Sequence, residues 1–189
     1  MLVAGGTAVT INVAAGTTFT VPAGNYAGGT TFNVDAGAMV TIPGGNTFTG
    51  GVVFNVASGA VVDLTGSGTP SYSGTLTGTG AGTVELASGR LYIGIGGMTL
   101  DFEGSMFQWT GGQFDAGNGD LTNLGTMNLN SNLAEDFYND GVLDNFGTIN
   151  QAGAGSLQLG TDGDFPVTLI NETGASYTIN GDGGIREIS

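Results

Sequence analysis

The stretch FNVDAGAMVTIPGG, at residues 32–45, aligns with FNVASGAVVDLTGS, at residues 54–67, at an offset of 22 residues. A related copy, INVAAGTTFTVPAG, begins 21 residues earlier, at Ile11. Self-similarity at a short, nearly fixed period is typical of solenoid proteins, in which each repeat forms one coil that packs on its neighbours. The first third of the chain therefore predicts stacked coils.

The second half of the chain repeats at the same period with different residues. TNLGTMNLN at residues 122–130 and DNFGTINQA at residues 144–152 lie 22 residues apart, and INETGASYTIN follows at residues 170–180. At roughly 22 residues per unit, 189 residues hold about eight coils. We therefore treat residues 1–189 as a single solenoid domain, and expect them to be a segment of a longer repeat protein.

Apolar residues alternate with polar residues within each repeat, which is the pattern of a half-buried strand. Pairs such as AG, SG and GG separate the alternating pieces and permit the positive φ of tight turns. No window shows the period of a helix. The pattern predicts an all-β fold, a parallel β-helix, with a transmembrane β-barrel and a β-sandwich as the alternative folds. The predicted core positions are Phe32, Val40, Ile42, Phe54, Val62 and Leu64, with Phe32 beside Phe54 and Val40 beside Val62.

The composition excludes several classes of function. The chain has no His and no Cys, and its two basic residues are Arg90 and Arg186. This leaves no Ser-His or Cys-His nucleophile, no ordinary zinc site and no lysine chemistry. A net charge of −14 repels nucleic acid and anionic lipid, and no apolar run is long enough to span a membrane as a helix.

Asparagine recurs at equivalent places in successive repeats. Aligned side-chain amides of stacked strands can hydrogen-bond along the stack, so we predict amide ladders. In the second set, the detail we favour is a side-chain amide that caps the tight turn before the following glycine. Ligand contact is the alternative role. The predicted ladder positions are Asn33, Asn55, Asn123, Asn145 and Asn171.

Calcium is the one cofactor for which the sequence offers ligands. DAGNGD places Asp115, Asn118 and Asp120 in a glycine-rich loop, and TDGD adds Asp162 and Asp164. Oxygen ligands on turns suit Ca²⁺, but neither segment has the spacing of a known calcium loop. Solvated turns are the alternative.

Four other features invite a functional hypothesis. Asp101 and Glu103 project from one face of a strand, like the acid pair of an inverting glycosidase, although Leu100 and Phe102 need the opposite, inward face. Trp109 shares a face with Phe107 and is predicted to be a core residue rather than a sugar platform. The remaining two features are a loop followed by a poorly apolar turn at residues 66–82, and a solvated acidic edge that includes Glu135–Asp136 and Asp140–Asp144.

The segment FQWTGGQFDAGNGDLTNLGTMNLN, from Phe107, and the recurring N-x-G-T-[MI]-N resemble the repeats of large bacterial surface β-helix proteins. Filamentous-haemagglutinin-like adhesins and autotransporter passengers carry similar repeats. The resemblance implies a right-handed β-helix, exported or at the cell surface, that acts as a stalk or adhesin. It implies no catalytic residue.

The expected function is thus a noncatalytic structural or adhesive module, whose partners are adjacent coils or glycans. A filament subunit that stacks end to end on copies of itself, and a polysaccharide-binding or polysaccharide-cleaving protein, are the alternatives. TAVTINV at residues 7–13 and SYTIN at residues 176–180 alternate like strands and carry no Lys or Pro to protect an edge. We therefore expect the isolated chain to associate end to end, and Lys at Thr10 and Thr178 to suppress that association.

Overall fold

The computed structural model describes residues 8–117, 119–160 and 167–188, and the backbone alone of residues 2–4. All regular structure in these ranges is β-strand, because apolar and polar residues alternate with a period of two. The strands are β1 (Leu2–Ala4), β2 (Val9–Val13), β3 (Thr18–Thr20), β4 (Gly24–Ala27), β5 (Thr30–Val34), β6 (Met39–Thr41), β7 (Asn46–Thr49), β8 (Val52–Val56), β9 (Val61–Asp63), β10 (Ser71–Thr79), β11 (Thr83–Leu86), β12 (Arg90–Asp101), β13 (Phe107–Trp109), β14 (Gln113–Asp115), β15 (Leu121–Asn123), β16 (Thr126–Leu129), β17 (Glu135–Tyr138), β18 (Val142–Asn145), β19 (Thr148–Gln151), β20 (Leu157–Leu159), β21 (Thr168–Asn171), β22 (Ser176–Ile179) and β23 (Ile185–Glu187).

These strands stack in parallel as a β-solenoid of about seven turns, with roughly 22 residues in each turn. The sequence predicted about eight turns. The first face contains β2, β5, β8, β15, β18 and β21, and the second face contains β3, β6, β9, β11, β13, β16, β19 and β22. The third face contains β1, β4, β7, β14, β17, β20 and β23. The long strands β10 and β12 turn a corner and belong to the third face and then to the first.

The predicted register is confirmed at its clearest positions. Phe32 pairs with Phe54 and Val40 pairs with Val62, and all four side chains are fully buried. The rings of Phe32 and Phe54 stack at 5.5 Å between centroids. The remaining predicted core residues, Ile42 and Leu64, are also fully buried.

Two aromatic stacks follow the solenoid axis inside the coils. On the third face, Tyr26, Phe48 and Tyr72 stack with centroid distances of 4.8 and 4.9 Å. On the first face, Phe54 also reaches Phe102 at 6.2 Å. Because aromatic rings of adjacent coils stack on one another, they contribute to the cohesion of successive coils as well as to apolar burial.

The prediction of a loop and a poorly apolar turn at residues 66–82 is wrong for most of that segment. Ser71–Thr79 is a nine-residue strand that pairs with strands on both sides, and Tyr72 and Leu76 are fully buried. Gly78 replaces an inward side chain there, because a Cβ atom would lie 2.7 Å from the carbonyl oxygen of Phe54. The glycines that suggested a loop are thus required by close packing between coils.

A second glycine requirement fixes the corner between the third and first faces. Gly74 has φ of +83°, and a Cβ atom there would lie 2.7 Å from the backbone nitrogen of Gly51. Gly51, one coil earlier, has φ of +88°. The register between β10 and β12 shifts between Tyr72 and Gly74, so the long strand bends at this corner without leaving the sheet.

Candidate functional site

An amide ladder runs through the interior of the last three coils. The Nδ2 atom of Asn123 donates to Oδ1 of Asn145 at 2.7 Å, and Nδ2 of Asn145 donates to Oδ1 of Asn171 at 2.7 Å. Asn123 and Asn145 are fully buried, whereas Asn171, in the last coil, is exposed. The ladder prediction is confirmed here, and each amide pairs with the same residue one coil further on.

The ladder amides also bind backbone carbonyls, mainly in the following coil. Asn123 donates to the carbonyl oxygen of Thr148 at 3.1 Å, and Asn145 donates to that of Ser176 at 3.1 Å. The predicted contact with the local glycine turn is the longer one, since Asn123 reaches the carbonyl oxygen of Gly125 at 3.4 Å. The amides therefore join coils more than they cap turns.

The inner ladder has a direction. Both hydrogen bonds between its amides point toward the next coil in the sequence, and Oδ1 of Asn123, at the start, is buried without a hydrogen-bond partner among the described residues. The residue that pairs with Asn123 in the preceding coil is Leu100, which offers no donor. The ladder thus begins at an apolar boundary and ends at Asn171.

The other predicted ladder lies on the outside of the solenoid. Nδ2 of Asn33 donates to Oδ1 of Asn12 at 2.7 Å, and Nδ2 of Asn55 donates to Oδ1 of Asn33 at 2.8 Å. The hydroxyl of Thr79 continues the row by donating to Oδ1 of Asn55 at 2.9 Å. These amides are exposed or half-buried, so water competes for them and their contribution to stability is smaller than that of the inner ladder.

The last coil exposes side chains whose counterparts in the preceding coil are buried. Ile179 and Ile185 are 46% and 42% exposed, whereas Gln151 and Leu157, which pair with them one coil earlier, are fully buried. Strands β21, β22 and β23 each pair with one neighbour among the described strands. We call the surface formed by these three strands and their inward side chains the terminal face.

A buried polar cluster lies beneath the terminal face. The hydroxyl of Tyr177 donates to Oε1 of Gln151 at 2.9 Å, and Nε2 of Gln151 donates to the carbonyl oxygens of Gly155 and Gly184 at 3.0 and 2.9 Å. Burial raises the pKa of Tyr177, and the nearby carboxyl group of Glu135 raises it further. The cluster is fully connected at Gln151, which holds two coils together through one amide.

Glu135 corrects the predicted acidic edge. Its side chain is 1% exposed and shares the inward face of β17 with Phe137, so it is not part of a solvated surface. Burial raises the pKa of Glu135 to about 8, although a backbone hydrogen bond from Ser131 opposes the shift, and Oε1 has no partner among the described residues. The alternation of Glu135 with Phe137 is the sequence signal that could have placed this carboxyl group inside.

The other acids of the predicted edge lie nearer the surface. Asp136 accepts a hydrogen bond of 2.7 Å from Nε2 of Gln113, in the preceding coil, and Asp140 is exposed. Asp144 is half-buried, and its pKa is raised by desolvation, then by Glu172 and Asp120. This side of the solenoid is acidic, and of these three carboxylates only that of Asp136 is hydrogen-bonded to a neighbouring coil among the described residues.

The two calcium candidates that the structure describes, Asp115 and Asp120, are both engaged by other groups of the protein. Asp115 is fully buried and lies 3.5 Å from the guanidinium of Arg90, in an ion pair that competes with any cation. Its carboxylate also accepts hydrogen bonds from Asn139, at 2.8 Å, and from Tyr138, at 3.3 Å. Asp120 is exposed and accepts from the backbone N–H of Val142 at 2.9 Å.

The remaining calcium candidates, Asn118, Asp162 and Asp164, lie outside the described residues. No cluster of three or more acidic side chains suited to a metal ion occurs in the ranges that the structure describes. A calcium site therefore stays a prediction, without Asp115 as a free ligand.

The acid pair examined for glycoside cleavage lies on the surface. Asp101 and Glu103 are both exposed and border a groove of about 290 Å³ that Thr77, Thr79 and Met106 also line. Leu100 and Phe102 are buried, as their alternation predicts. The carboxyl groups that act as general acids in glycosidases usually lie in partly buried pockets, whereas both of these side chains are exposed to solvent.

Trp109 is a core residue. Its side chain is fully buried, its ring meets that of Phe114 edge to face at 4.7 Å, and Nε1 donates to the carbonyl oxygen of Gly112 at 3.3 Å. Phe107 is fully buried on the same side. Neither ring offers a surface on which a sugar can stack.

No protein-family model matches this sequence, and comparisons with curated proteins and with solved structures find no significant match. Nor do the described residues include a helix long and apolar enough to cross a membrane.

Proposed function

We propose that this chain is a noncatalytic structural or adhesive β-solenoid module, a stalk or passenger segment of a bacterial secreted or cell-surface protein. The buried polar groups support this proposal, because the inner ladder and Gln151 join coil to coil and do not converge on a pocket. The extracellular location is supported by the resemblance of the repeats to bacterial surface β-helix proteins.

The terminal face is the observation that carries the proposal. Its strands keep the register of the coils beneath, and its inward isoleucines remain almost half exposed. An apolar surface that matches the interior of the same molecule is suited to receive another coil. A module of this kind serves as a length of stalk, since each added coil buries the face of the one before.

A fusion tests whether the terminal face accepts a coil. Residues 139–160 form one complete turn of the solenoid. Phe137 pairs with Leu159, and Leu159 pairs with Glu187, so these three residues occupy the same position in successive coils. The next residues, Tyr138 and Ile188, therefore also correspond, and residue 139 is the one that would follow Ile188 in register. A copy of residues 139–160 is placed directly after Ile188, and a control carries the same residues in shuffled order. We expect backbone amides of β21, β22 and β23 to exchange with solvent at least tenfold more slowly in the fusion than in the control. Equal exchange contradicts the proposal.

The adhesive part of the proposal has a specific surface. Leu124 and Phe146 are each 50% exposed and occupy the same corner of successive coils, where Leu124 N–H donates to Leu100 and Phe146 N–H donates to Asn123. An exposed aromatic on a rigid scaffold can stack on a sugar ring or pack against a protein partner. Binding to a glycan array by the native chain, lost in Phe146→Ser, is the expected result for a glycan adhesin. Binding unchanged by that substitution moves adhesion away from this corner.

A panel of polysaccharides with a reducing-sugar assay tests the noncatalytic part. We expect no new reducing ends. Release of reducing ends by the native chain that Asp101→Asn and Glu103→Gln abolish would establish the glycosidase alternative instead.

A further inference from the structure

We infer that the terminal face is selective, and that it accepts a parallel coil which carries Asn at the ladder position rather than an apolar residue. This inference rests on the proposed function, because it names the kind of coil that the terminal face binds. The partner is defined by chemistry: a side-chain amide oxygen beside Asn171, and a backbone carbonyl three to five residues further along the same coil.

The direction of the inner ladder is the first step. Asn145 gives its two Nδ2 hydrogens to Oδ1 of Asn171 and to the carbonyl oxygen of Ser176, and both acceptors belong to the next coil. Asn123 uses the acceptors of its own next coil in the same way. Each amide of the ladder is thus completed by the coil that follows it.

Asn171 occupies this position without a following coil among the described residues. Its Nδ2 atom donates to the carbonyl oxygen of Ala175, in its own coil, at 3.3 Å, and its Oδ1 atom already accepts from Asn145. One N–H of Asn171 therefore remains for an acceptor above the terminal face. A coil that buries this face without supplying an acceptor leaves that N–H buried and unpaired, which is costly.

The sequence of an accepting coil follows from the two coils that already do this. The coil that accepts from Asn123 supplies Asn145 and the carbonyl of Thr148, in the order N-F-G-T. The coil that accepts from Asn145 supplies Asn171 and the carbonyl of Ser176. Repeats with Asn, a glycine turn and a short polar residue are therefore the matching partners.

The first coil of this same chain is not a matching partner. The ladder position runs through Leu100, Leu76, Val52 and Thr30 to Val9 in the first coil, by the pairing of successive strands. A second copy that stacks in continuous register places Val9 against Asn171. The predicted stacking of copies end to end is thus opposed at this position, and the boundary between Leu100 and Asn123 shows the same mismatch, with Oδ1 of Asn123 unpaired.

The test is a double-mutant cycle in the fusion that carries residues 139–160 after Ile188. The four variants are the native pair, Asn171→Leu, Asn145→Leu in the appended copy only, and both substitutions together. We expect the appended coil to be protected from hydrogen exchange when the pair is Asn–Asn or Leu–Leu, and to open at least tenfold more often when the pair is mixed. Far-UV circular dichroism establishes that each variant is folded.

Each other outcome has a definite meaning. Equal protection in all four variants, or better protection by Leu against native Asn171, overturns selectivity while the proposed function stands. An appended coil that is unprotected in every variant overturns the proposed function itself. Light scattering of the native chain at millimolar concentration tests directly whether a second copy binds the terminal face. We expect a monomer. Head-to-tail oligomers would contradict the inference if Asn171→Leu raises their association constant by less than threefold.

Discussion

Asn123 and Asn145 form a hydrogen bond of 2.7 Å between two fully buried amides that lie 22 residues apart. The bond has a fixed direction, with Asn123 as the donor. Because the ladder is directional, its two buried members are not equivalent. Oδ1 of Asn123 is already unpaired against Leu100, whereas Asn145 is bonded on both sides.

The first prediction follows from this asymmetry. Leu has nearly the shape of Asn, so Asn145→Leu removes the middle of the ladder and leaves an N–H of Asn123 without its acceptor. We expect this substitution to lower the free energy of unfolding by about 2–3 kcal/mol, the cost of a buried unpaired polar group and a lost hydrogen bond. Asn123→Leu leaves Oδ1 of Asn145 without its donor, but it also removes Oδ1 of Asn123, which was already unpaired. The loss in the free energy of unfolding should therefore be smaller than for Asn145→Leu by about 1 kcal/mol or more. Urea unfolding of both variants gives the comparison, and equal losses would refute a directional ladder.

The second prediction concerns pH. The pKa of Glu135 is raised to about 8 in the folded chain from an ordinary value of 4.5, because the carboxyl group is buried. The folded state therefore binds one proton more than the unfolded state between these values. The contribution of Glu135 to the free energy of unfolding is therefore fully present below pH 4.5. It is lost as the pH rises toward 8, by up to about 1.4 kcal/mol per pH unit.

Glu135→Gln keeps the shape of the side chain and removes its charge. We expect the native chain to lose stability steadily between pH 5 and pH 8, and Glu135→Gln to flatten that part of the profile. Asp35→Asn, which removes a carboxyl charge at an exposed position, is the matched control. Urea midpoints at each pH provide the measurement, and a slope that survives in Glu135→Gln assigns the titration to another group.

The third prediction tests the corner at Gly74. Gly74 and Gly16 both have positive φ, but a Cβ atom at Gly74 meets the backbone of Gly51 at 2.7 Å, while one at Gly16 meets nothing within 4 Å. Gly16→Ala should cost about 1–2 kcal/mol for its conformation alone. Gly74→Ala adds a clash with an immobile backbone and should cost at least about 3 kcal/mol. Urea unfolding measures both variants. Similar losses in the free energy of unfolding would show that the backbone at this corner can shift to accommodate a Cβ atom.

The solenoid itself could be predicted because the repeat and the alternation act together. Phe32 and Phe54 match at 22 residues, and an offset of that length in alternating strands brings them side by side. Trp109 and Phe107 were placed in the core by the same alternation. These predictions depend on apolar residues, whose inward position follows from burial alone.

The polar and glycine positions were harder to predict, for a physical reason. Asn33 lies between Phe32 and Val34 and therefore points outward, whereas Asn123 shares a face with Leu121 and points inward. The recurrence of Asn predicted both ladders, but only the alternation with neighbours distinguishes the exposed one from the buried one. Gly78 gives no such signal, because its role is set by Phe54 in the adjacent coil.

The fourth prediction concerns Arg90, the one basic residue with an ion pair in the part of the chain that the structure describes. Its guanidinium lies 3.5 Å from the buried carboxylate of Asp115 and 5.2 Å from the centre of the Tyr138 ring. Arg90 is 44% exposed, so solvent weakens this pair relative to a fully buried one. Arg90→Gln leaves the Asp115 charge with neutral donors only.

We expect Arg90→Gln to lower the free energy of unfolding by about 1–3 kcal/mol, between the values for exposed and buried pairs. Asp115→Asn in the Arg90→Gln background should recover part of that loss, because it removes the buried charge that lost its partner. Arg186→Gln, at an exposed position of the last coil, is the control and should change stability by less than about 0.5 kcal/mol. Urea unfolding at low and high salt measures all three variants. A loss in Arg90→Gln that Asp115→Asn does not relieve would mean that Arg90 acts through its packing on Tyr138, and not through the charge of Asp115.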